Sequence, residues 1–320
     1  MIFWRILDNQ LYSVDEVEHL GFEKSEGLRI PDDYLEKQEF MVMRTAHGIG
    51  DWGIISAMPR LLKEKYPDCK VYVPSVNLLE KLFGQMKANW GSWDNPFKNV
   101  HYIFDNNPFV DEFVDDMEGE VFHDHYRIYD KDNTDIPLLK QMLKFWQFTE
   151  EEMSDSQPEM YWSDDEKKLG DDIIYQFADD HTPTGPEYRT RFFRKIDGEF
   201  PEFGCLLVSD RFGQNGDKVF DDDIRKKEIH KIMEFLFLHQ LPYFYWTHKP
   251  IQETPFHVID KLLDLRHIDL RIQLYIRSKA KFNIGNQCGL TQTIARYSKC
   301  YTTQRQFPIG SNIVEGEILL

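Results

Sequence analysis

Glu39-Phe40-Met41-Val42-Met43-Arg44-Thr45-Ala46-His47-Gly48-Ile49-Gly50-Asp51, read on to Val71-Tyr72-Val73, decides the fold class of this chain. Phe40 to Met43 is a short apolar run of the kind that forms a strand buried on both faces, and the glycines after it force a turn. From Trp52 to Tyr66 the residues Ile54, Ile55, Met58, Leu61 and Leu62 fall at helical spacing, and Pro67-Asp68 stops the segment. Val71-Tyr72-Val73 is the next strand. Strand, glycine turn, helix and strand in this order make a βαβ unit, whose two strands must be parallel and whose crossover is right-handed.

Downstream the alternation continues, with a helix expected near Leu78–Met86, strands at Val100–Phe104 and Glu120–Tyr126, and a helix at Ile136–Phe148. Between about residues 149 and 203 the composition turns polar and acidic. A helix opens there at Ser163-Asp164-Asp165-Glu166, where Ser163 and Glu166 fit the capping-box pattern. A second α/β series starts at Gly204. Strands are expected at Cys205–Ser209, Tyr243–Trp246, Lys281–Ile284 and Cys300–Thr302. Helices are expected at Ile224–His239, at 256–264 through Val258, Ile259, Leu262 and Leu263, and at Leu290–Tyr297, with a helix or turn at Gln273–Ser278. Upstream, residues 1–37 are mixed and acidic, with room for one short strand at Ile2–Leu7. The chain thus divides into an extension (1–37), an N-terminal Rossmann-like domain (38–155), an interdomain segment (156–203) and a C-terminal Rossmann-like domain (204–320). The expected fold is α/β, two open parallel sheets facing a central cleft, where such folds hold their ligands.

Size and composition agree with two cores. The 320 residues exceed what one core usually organises, and hydrophobic residues at 41% with aromatics at 14% belong to a globular chain. A net charge of −17, from 55 acidic against 38 basic residues, repels phosphate backbones and anionic head groups. That argues against nucleic acid as the main partner. The four cysteines, Cys69, Cys205, Cys288 and Cys300, have no zinc or dithiol spacing and read as reduced, mostly buried thiols. Neither a signal peptide at the N-terminus nor a run of about 18 apolar residues is present, so the expected location is cytoplasmic.

Three loops carry candidate chemistry. In His47-Gly48-Ile49-Gly50-Asp51-Trp52, Gly48 and Gly50 permit a tight turn beside a ligand, and Asp51 stands at a helix start, where it serves either as a general base or as a helix cap. Gly48, Gly50 and Gly53 also satisfy the bare G-x-G-x-x-G dinucleotide pattern, which makes a nicotinamide-dependent oxidoreductase an alternative. No acidic residue follows the second strand to hold a ribose. In Gly285-Asn286-Gln287-Cys288-Gly289-Leu290-Thr291-Gln292 a glycine turn feeds a helix whose N–H groups attract phosphate, or it is an ordinary connection. In Ser209–Lys218, Arg211 or Lys218 offers positive charge to a diphosphate, or the segment is a polar surface loop. His123-Asp124-His125 reads as a strand-end polar cluster rather than a metal site, and Asp221-Asp222-Asp223 as a solvated helix start.

The motif order over residues 38 to 303 resembles glycosyltransferase family nine, typified by ADP-heptose:lipopolysaccharide heptosyltransferases. The opening signature corresponds to Met41–Arg44, Gly48-Ile49-Gly50-Asp51 and Lys65-Tyr66-Pro67-Asp68-Cys69-Lys70-Val71. Gln157-Pro158-Glu159-Met160-Tyr161-Trp162 resembles the interdomain segment, and Gln287-Cys288-Gly289-Leu290-Thr291-Gln292-Thr293-Ile294-Ala295 the closing signature. The resemblance implies a GT-B fold and an inverting, metal-independent glycosyltransferase needing no cofactor. Its partners would be a nucleotide-diphosphate sugar and a glycan or other hydroxyl acceptor. It also implies that Asp51 is the base and that Gly289, Leu290 and Thr291 hold the donor diphosphate beside Arg211 or Lys218. Gln287 and Gln292 stand where the family has Asp and His, which leaves a binding scaffold without catalysis as a further alternative.

Overall fold

The structure, a computed structural model, describes residues 2–7, 10–13, 38–44, 47–84, 95–116, 121–124, 139–140, 143, 147–180, 201–209, 214–215, 219–239, 241–247, 250–259, 262–286, 288–303 and 317–320. The chain forms two compact units. One comprises Met1–Tyr161 with Ile309–Val314, the other Trp162–Pro308 with Glu315–Leu320.

In the first unit β1 (Ile2–Leu7) and β2 (Gln10–Ser13) form an antiparallel hairpin. The parallel sheet begins at β3 (Glu39–Met41) and is followed by two short helices, α1 (Ile49–Ile54) and α2 (Met58–Lys65). The single helix expected from Trp52 to Tyr66 is therefore broken. Pro59 explains the break: proline fits the first turn of a helix but has no N–H for its interior, so the chain turns at residues 55–57 and restarts with Pro59 in the first turn of α2. β4 (Lys70–Pro74), α3 (Val76–Phe83), a 3-10 turn at Pro96–Lys98, α4 (Asn99–Phe104), β5 (Glu112–Val114) and β6 (Val121–Asp124) follow.

Two further expectations fail here. Residues 99–104 are helical, not extended, because Val100, Ile103 and Phe104 fall at i, i+3 and i+4 and all three are buried on one side. The strand near residue 121 exists, but it pairs antiparallel with β1 in the order β2-β1-β6 and does not extend the parallel sheet, whose order is β3-β4-β5. The helix expected at Ile136–Phe148 lies mostly outside the described residues.

The second unit opens with α5 (Asp164–Asp180). Ser163 and Glu166 form the anticipated capping box: the Ser163 N–H donates to Glu166 Oε2 (2.7 Å) and the Glu166 N–H to Ser163 Oγ (3.1 Å). Next come β7 (Gly204–Val208), the two-residue strands β8 (Gln214–Asn215) and β9 (Val219–Phe220), and α6 (Asp222–His239), which Asp221 caps by accepting from the N–H groups of Asp223 and Ile224. β10 (Tyr243–Thr247) and β11 (Leu262–Asp264) follow. The helix expected at 256–264 is instead a short 3-10 turn at Pro255–Val258 leading into β11. α7 (Leu270–Lys279), β12 (Phe282–Gly285), α8 (Gly289–Ile294), β13 (Lys299–Thr302) and β14 (Glu317–Leu319) finish the series.

All pairings in the large sheet are parallel, in the order β11-β10-β7-β12-β13-β14. Numbered within the unit this is 3-2-1-4-5-6, the doubly wound Rossmann order. Both faces of the sheet are covered. Leu206, Val208, Tyr243, Tyr245, Phe282 and Ile284 pack with Ile232 and Leu236 of α6, while Cys205 and Phe244 pack with Ile174 and Phe177 of α5 and Ile272 and Ile276 of α7. Each fully buried residue of this kind is worth about 1.5–3 kcal/mol relative to exposure, and the uninterrupted burial of β7 is what a strand covered on both faces requires. The α/β class with open parallel sheets in both units is thus as expected from the sequence.

Candidate functional site

The first candidate group surrounds the turn between β3 and α1. Gly48 is the extended N-cap of α1 and Asp51 its third residue, so the helix starts two residues before Asp51. The Asp51 carboxylate reaches back and accepts the Gly48 N–H on Oδ2 at 2.9 Å. Its Oδ1 stands 3.7 Å from the guanidinium of Arg44, which also donates from Nη1 to the Asp51 carbonyl at 3.0 Å. Arg44 is 2% exposed and the Asp51 side chain 31%. The aspartate therefore does cap the helix, and it also keeps an accessible edge beside a buried cation.

Most other residues of this loop are core residues. His47 and Trp52 are both 0% exposed. The His47 ring packs against Phe83, Phe97 and Trp52, with centroids 4.5, 4.9 and 5.9 Å away, and Asn99 Nδ2 donates to its carbonyl at 2.8 Å. Burial, assisted by the positive charge of Arg44, lowers its pKa to about 3, so the imidazole is neutral at ordinary pH. Trp52 packs edge-on against Phe104. Of the loop residues expected to line a cleft, His47, Gly50 and Trp52 are buried, and Gly48 is partly exposed.

Of the three glycines in the dinucleotide pattern, Gly48 is the N-cap of α1, and Gly50 and Gly53 lie within the helix and are buried. At the carboxyl ends of β4 and β5 in this unit, an open surface hollow of about 530 Å³ is lined by Asn77, Glu80, Lys81 and Asp115.

The second group lies at the carboxyl ends of β7 and β12. These are strands 1 and 4 of the Rossmann order, where the connections on the two sides run in opposite directions and where open α/β sheets hold their ligands. Asn286, fully buried, closes the two loops onto each other. Its Oδ1 accepts the Ser209 N–H at 2.9 Å, and its Nδ2 donates to Ser209 Oγ at 2.7 Å. Gly285 pairs with Leu207 across the strands. On the next strand Thr303 donates its N–H to the Gly285 carbonyl at 3.0 Å, and its hydroxyl to the buried Glu228 at 2.8 Å.

α8 begins immediately after this loop. Cys288 is its N-cap, and its sulfur accepts the Thr291 N–H. The Thr291 hydroxyl is engaged locally, donating to the Cys288 carbonyl at 2.7 Å and accepting the Cys288 N–H at 3.2 Å, and it is fully buried. Leu290 and Gln292 are buried and Gly289 is partly exposed. Thr291 thus braces the turn instead of presenting its hydroxyl. Arg211, Lys218 and Gln287 lie outside the described residues, as does His125.

Sequence reasoning missed Arg44 as a partner of Asp51, and Ser209 with Asn286 as the clasp at the switch point. An asparagine directly after a Phe-Asn-Ile-Gly strand was the available signal, since asparagine readily bonds neighbouring backbone.

Among the described residues no three His, Cys, Asp or Glu side chains are placed to hold a metal ion, and no helix is long and apolar enough to cross a membrane. No family model matches the chain, and no curated protein matches it. Among solved structures the chain is similar to a glycosyl transferase family 9 protein from Veillonella parvula, at 7% identity over 89% of this chain and 86% of that one, with a TM-score of 0.47. It is also similar to the UDP-GlcNAc 2-epimerase of Methanocaldococcus jannaschii, solved with UDP-GlcNAc and UDP, at 12% identity over 95% of this chain and 76% of that one, with a TM-score of 0.32.

Proposed function

We propose that this chain is a glycosyltransferase of the GT-B type, moving a sugar from a nucleotide-diphosphate sugar to an acceptor hydroxyl with inversion and without a metal. The observation that carries this reading is the Rossmann order of the second unit, with its switch point clasped by Asn286 and Ser209. Open α/β sheets bind nucleotides at that place. The donor diphosphate lies against the loop from Asn286 to Gln292, where Gly289 allows close approach. Arg211 or Lys218 supplies positive charge.

In the first unit Asp51 takes the proton of the acceptor hydroxyl. The acceptor oxygen then attacks the anomeric carbon from the face opposite the diphosphate. The carbon–oxygen bond to the diphosphate breaks, and the nucleotide diphosphate leaves with the electron pair. Arg44, held beside Asp51, fixes the carboxylate as it gains the proton. The open hollow beside Asn77, Glu80, Lys81 and Asp115, on the carboxyl edge of the same sheet, gives the acceptor a place to lie.

Asp51→Asn is the decisive variant, because the amide oxygen can still accept the Gly48 N–H while the base is gone. Turnover should fall at least a hundredfold, within the usual range for a general base, with donor affinity unchanged. Native turnover in that variant would refute the assignment. A thermal-shift series with ADP, GDP, UDP and NADH separates the readings, since a ligand that binds only the folded chain raises Tm. Stabilisation by NADH alone would favour an oxidoreductase, and nucleotide binding without transfer would favour a scaffold.

A further inference from the structure

Arg277 of α7 is 0% exposed, and among the described residues no carboxylate is paired with it. Its two hydrogen-bonding contacts, Nη1 to Asn283 Oδ1 and Nη2 to the Leu206 carbonyl, are both 3.5 Å long, beyond the range of strong hydrogen bonds. Its Nε has no partner among the described residues. The titratable groups that feel its charge are the thiols of Cys205, Cys288 and Cys300. Burial pushes the Cys205 thiol up to about 12 and raises that of Cys288, while the Cys300 thiol donates to the carbonyls of Ser298 and Thr291. Burial lowers the pKa of Arg277, but from so far above neutrality that a guanidinium stays protonated in proteins, and neutral thiols do not balance its charge.

An unbalanced buried cation costs several kcal/mol, and an apolar side chain of equal length would be cheaper at this position. The location gives the charge a use. Asn283 and Leu206 lie on β12 and β7, each three residues before the clasp residues Asn286 and Ser209, so the guanidinium spans the two strands whose ends form the switch point. In a low-dielectric interior a fixed charge acts over a longer range than in water.

We infer that Arg277 is a fixed positive charge beneath the switch point, a positioning residue that selects the ligand by its diphosphate and leaves recognition of the nucleoside to other groups. This rests on the nucleotide-binding reading above. Arg277 does not touch the ligand. It acts through its field.

The test compares the full chain with Arg277→Met, Arg277→Gln and Arg277→Lys by isothermal titration at fixed low ionic strength. The ligands are ADP, GDP, UDP, the matching nucleosides and inorganic pyrophosphate. For the nucleoside diphosphate that the native chain binds, and for pyrophosphate, the Met variant should bind at least tenfold more weakly. Nucleoside affinity should stay the same, Lys should restore most of the loss, and the urea midpoint should equal or exceed the native one. If Met does not fold, Gln is read in the same way. Unchanged diphosphate affinity overturns the inference and leaves the nucleotide reading intact. So does an equal loss for nucleoside and diphosphate with a lowered midpoint, the signature of a strut. A native chain that binds none of the diphosphates and no pyrophosphate removes both.

Discussion

A Cβ on Gly48 would lie 2.7 Å from Asp51 Oδ2, the atom that accepts the Gly48 N–H. Gly48 is thus small because the carboxylate of Asp51 occupies the space a side chain would take. In Gly48→Ala the methyl group displaces the carboxylate, the movable end of a side chain, and leaves the backbone in place. The stability cost should be about 1 kcal/mol, that of a lost helix cap. Turnover should suffer far more, on the order of a hundredfold, because small misplacements of a catalytic group are costly. Steady-state kinetics beside a urea melt decide the matter: a variant with normal kcat would show that the carboxylate position is irrelevant to activity.

Asn286→Ala removes both bonds to Ser209 at the switch point. A lost hydrogen bond of this kind costs about 0.5–1.5 kcal/mol. The expected outcome is a lowered urea midpoint together with weaker nucleotide binding by titration calorimetry. Asn286→Asp keeps an acceptor for the Ser209 N–H but loses the donor to its hydroxyl, so it should fall between Ala and the native chain.

How far the sequence announces this depends on whether local or distant contacts decide each element. β3, β4, β7, β10, β12 and β13 were legible as apolar runs before turns, and the cap at Ser163 follows from a side chain bonding backbone a few residues away, whereas Asp221 reads only as part of a solvated helix start. Residues 99–104 were misread because a six-residue run with Val100, Ile103 and Phe104 fits a strand as well as a helix. Residues 256–264 were misread for the opposite reason, since Val258, Ile259, Leu262 and Leu263 mimic helical spacing although the chain extends into β11. β14 has three residues and takes its identity from Cys300 to Thr302 beside it, a pairing no local pattern encodes. In the candidate site the Gly48–Asp51 turn was legible, whereas Arg277 was not. It follows Leu274-Tyr275-Ile276 in a helix buried from Arg271 to Ser278, and only the packed structure separates it from a surface arginine.

Gly285→Ala tests how tightly the switch point is built. The added Cβ would sit 1.6 Å from the Leu207 carbonyl oxygen and 2.7 Å from its carbon, both backbone atoms of the paired strand. Neither can move without opening the register between β7 and β12. The cost should reach the upper end of overpacking penalties, roughly 3 kcal/mol or more. A chain with an unaltered urea midpoint would mean that the two strands lie farther apart than described.

His47 should give the first unit a distinctive acid sensitivity. Its pKa, lowered to about 3 in the folded chain by burial and then by Arg44, returns near the ordinary 6.5 on unfolding. Between those values the unfolded chain takes up a proton that the folded chain refuses, so stability is full above about 6.5 and falls as pH drops toward 3. Each pH unit in that window removes up to about 1.4 kcal/mol. Phenylalanine at this position keeps an aromatic ring against Phe83 and Phe97 and has no proton to bind. Urea midpoints at pH 7, 6, 5 and 4 should therefore decline more steeply for the native chain than for His47→Phe, since both share whatever the carboxylates contribute. Parallel declines would mean that the imidazole is charged, or exposed, in the folded chain.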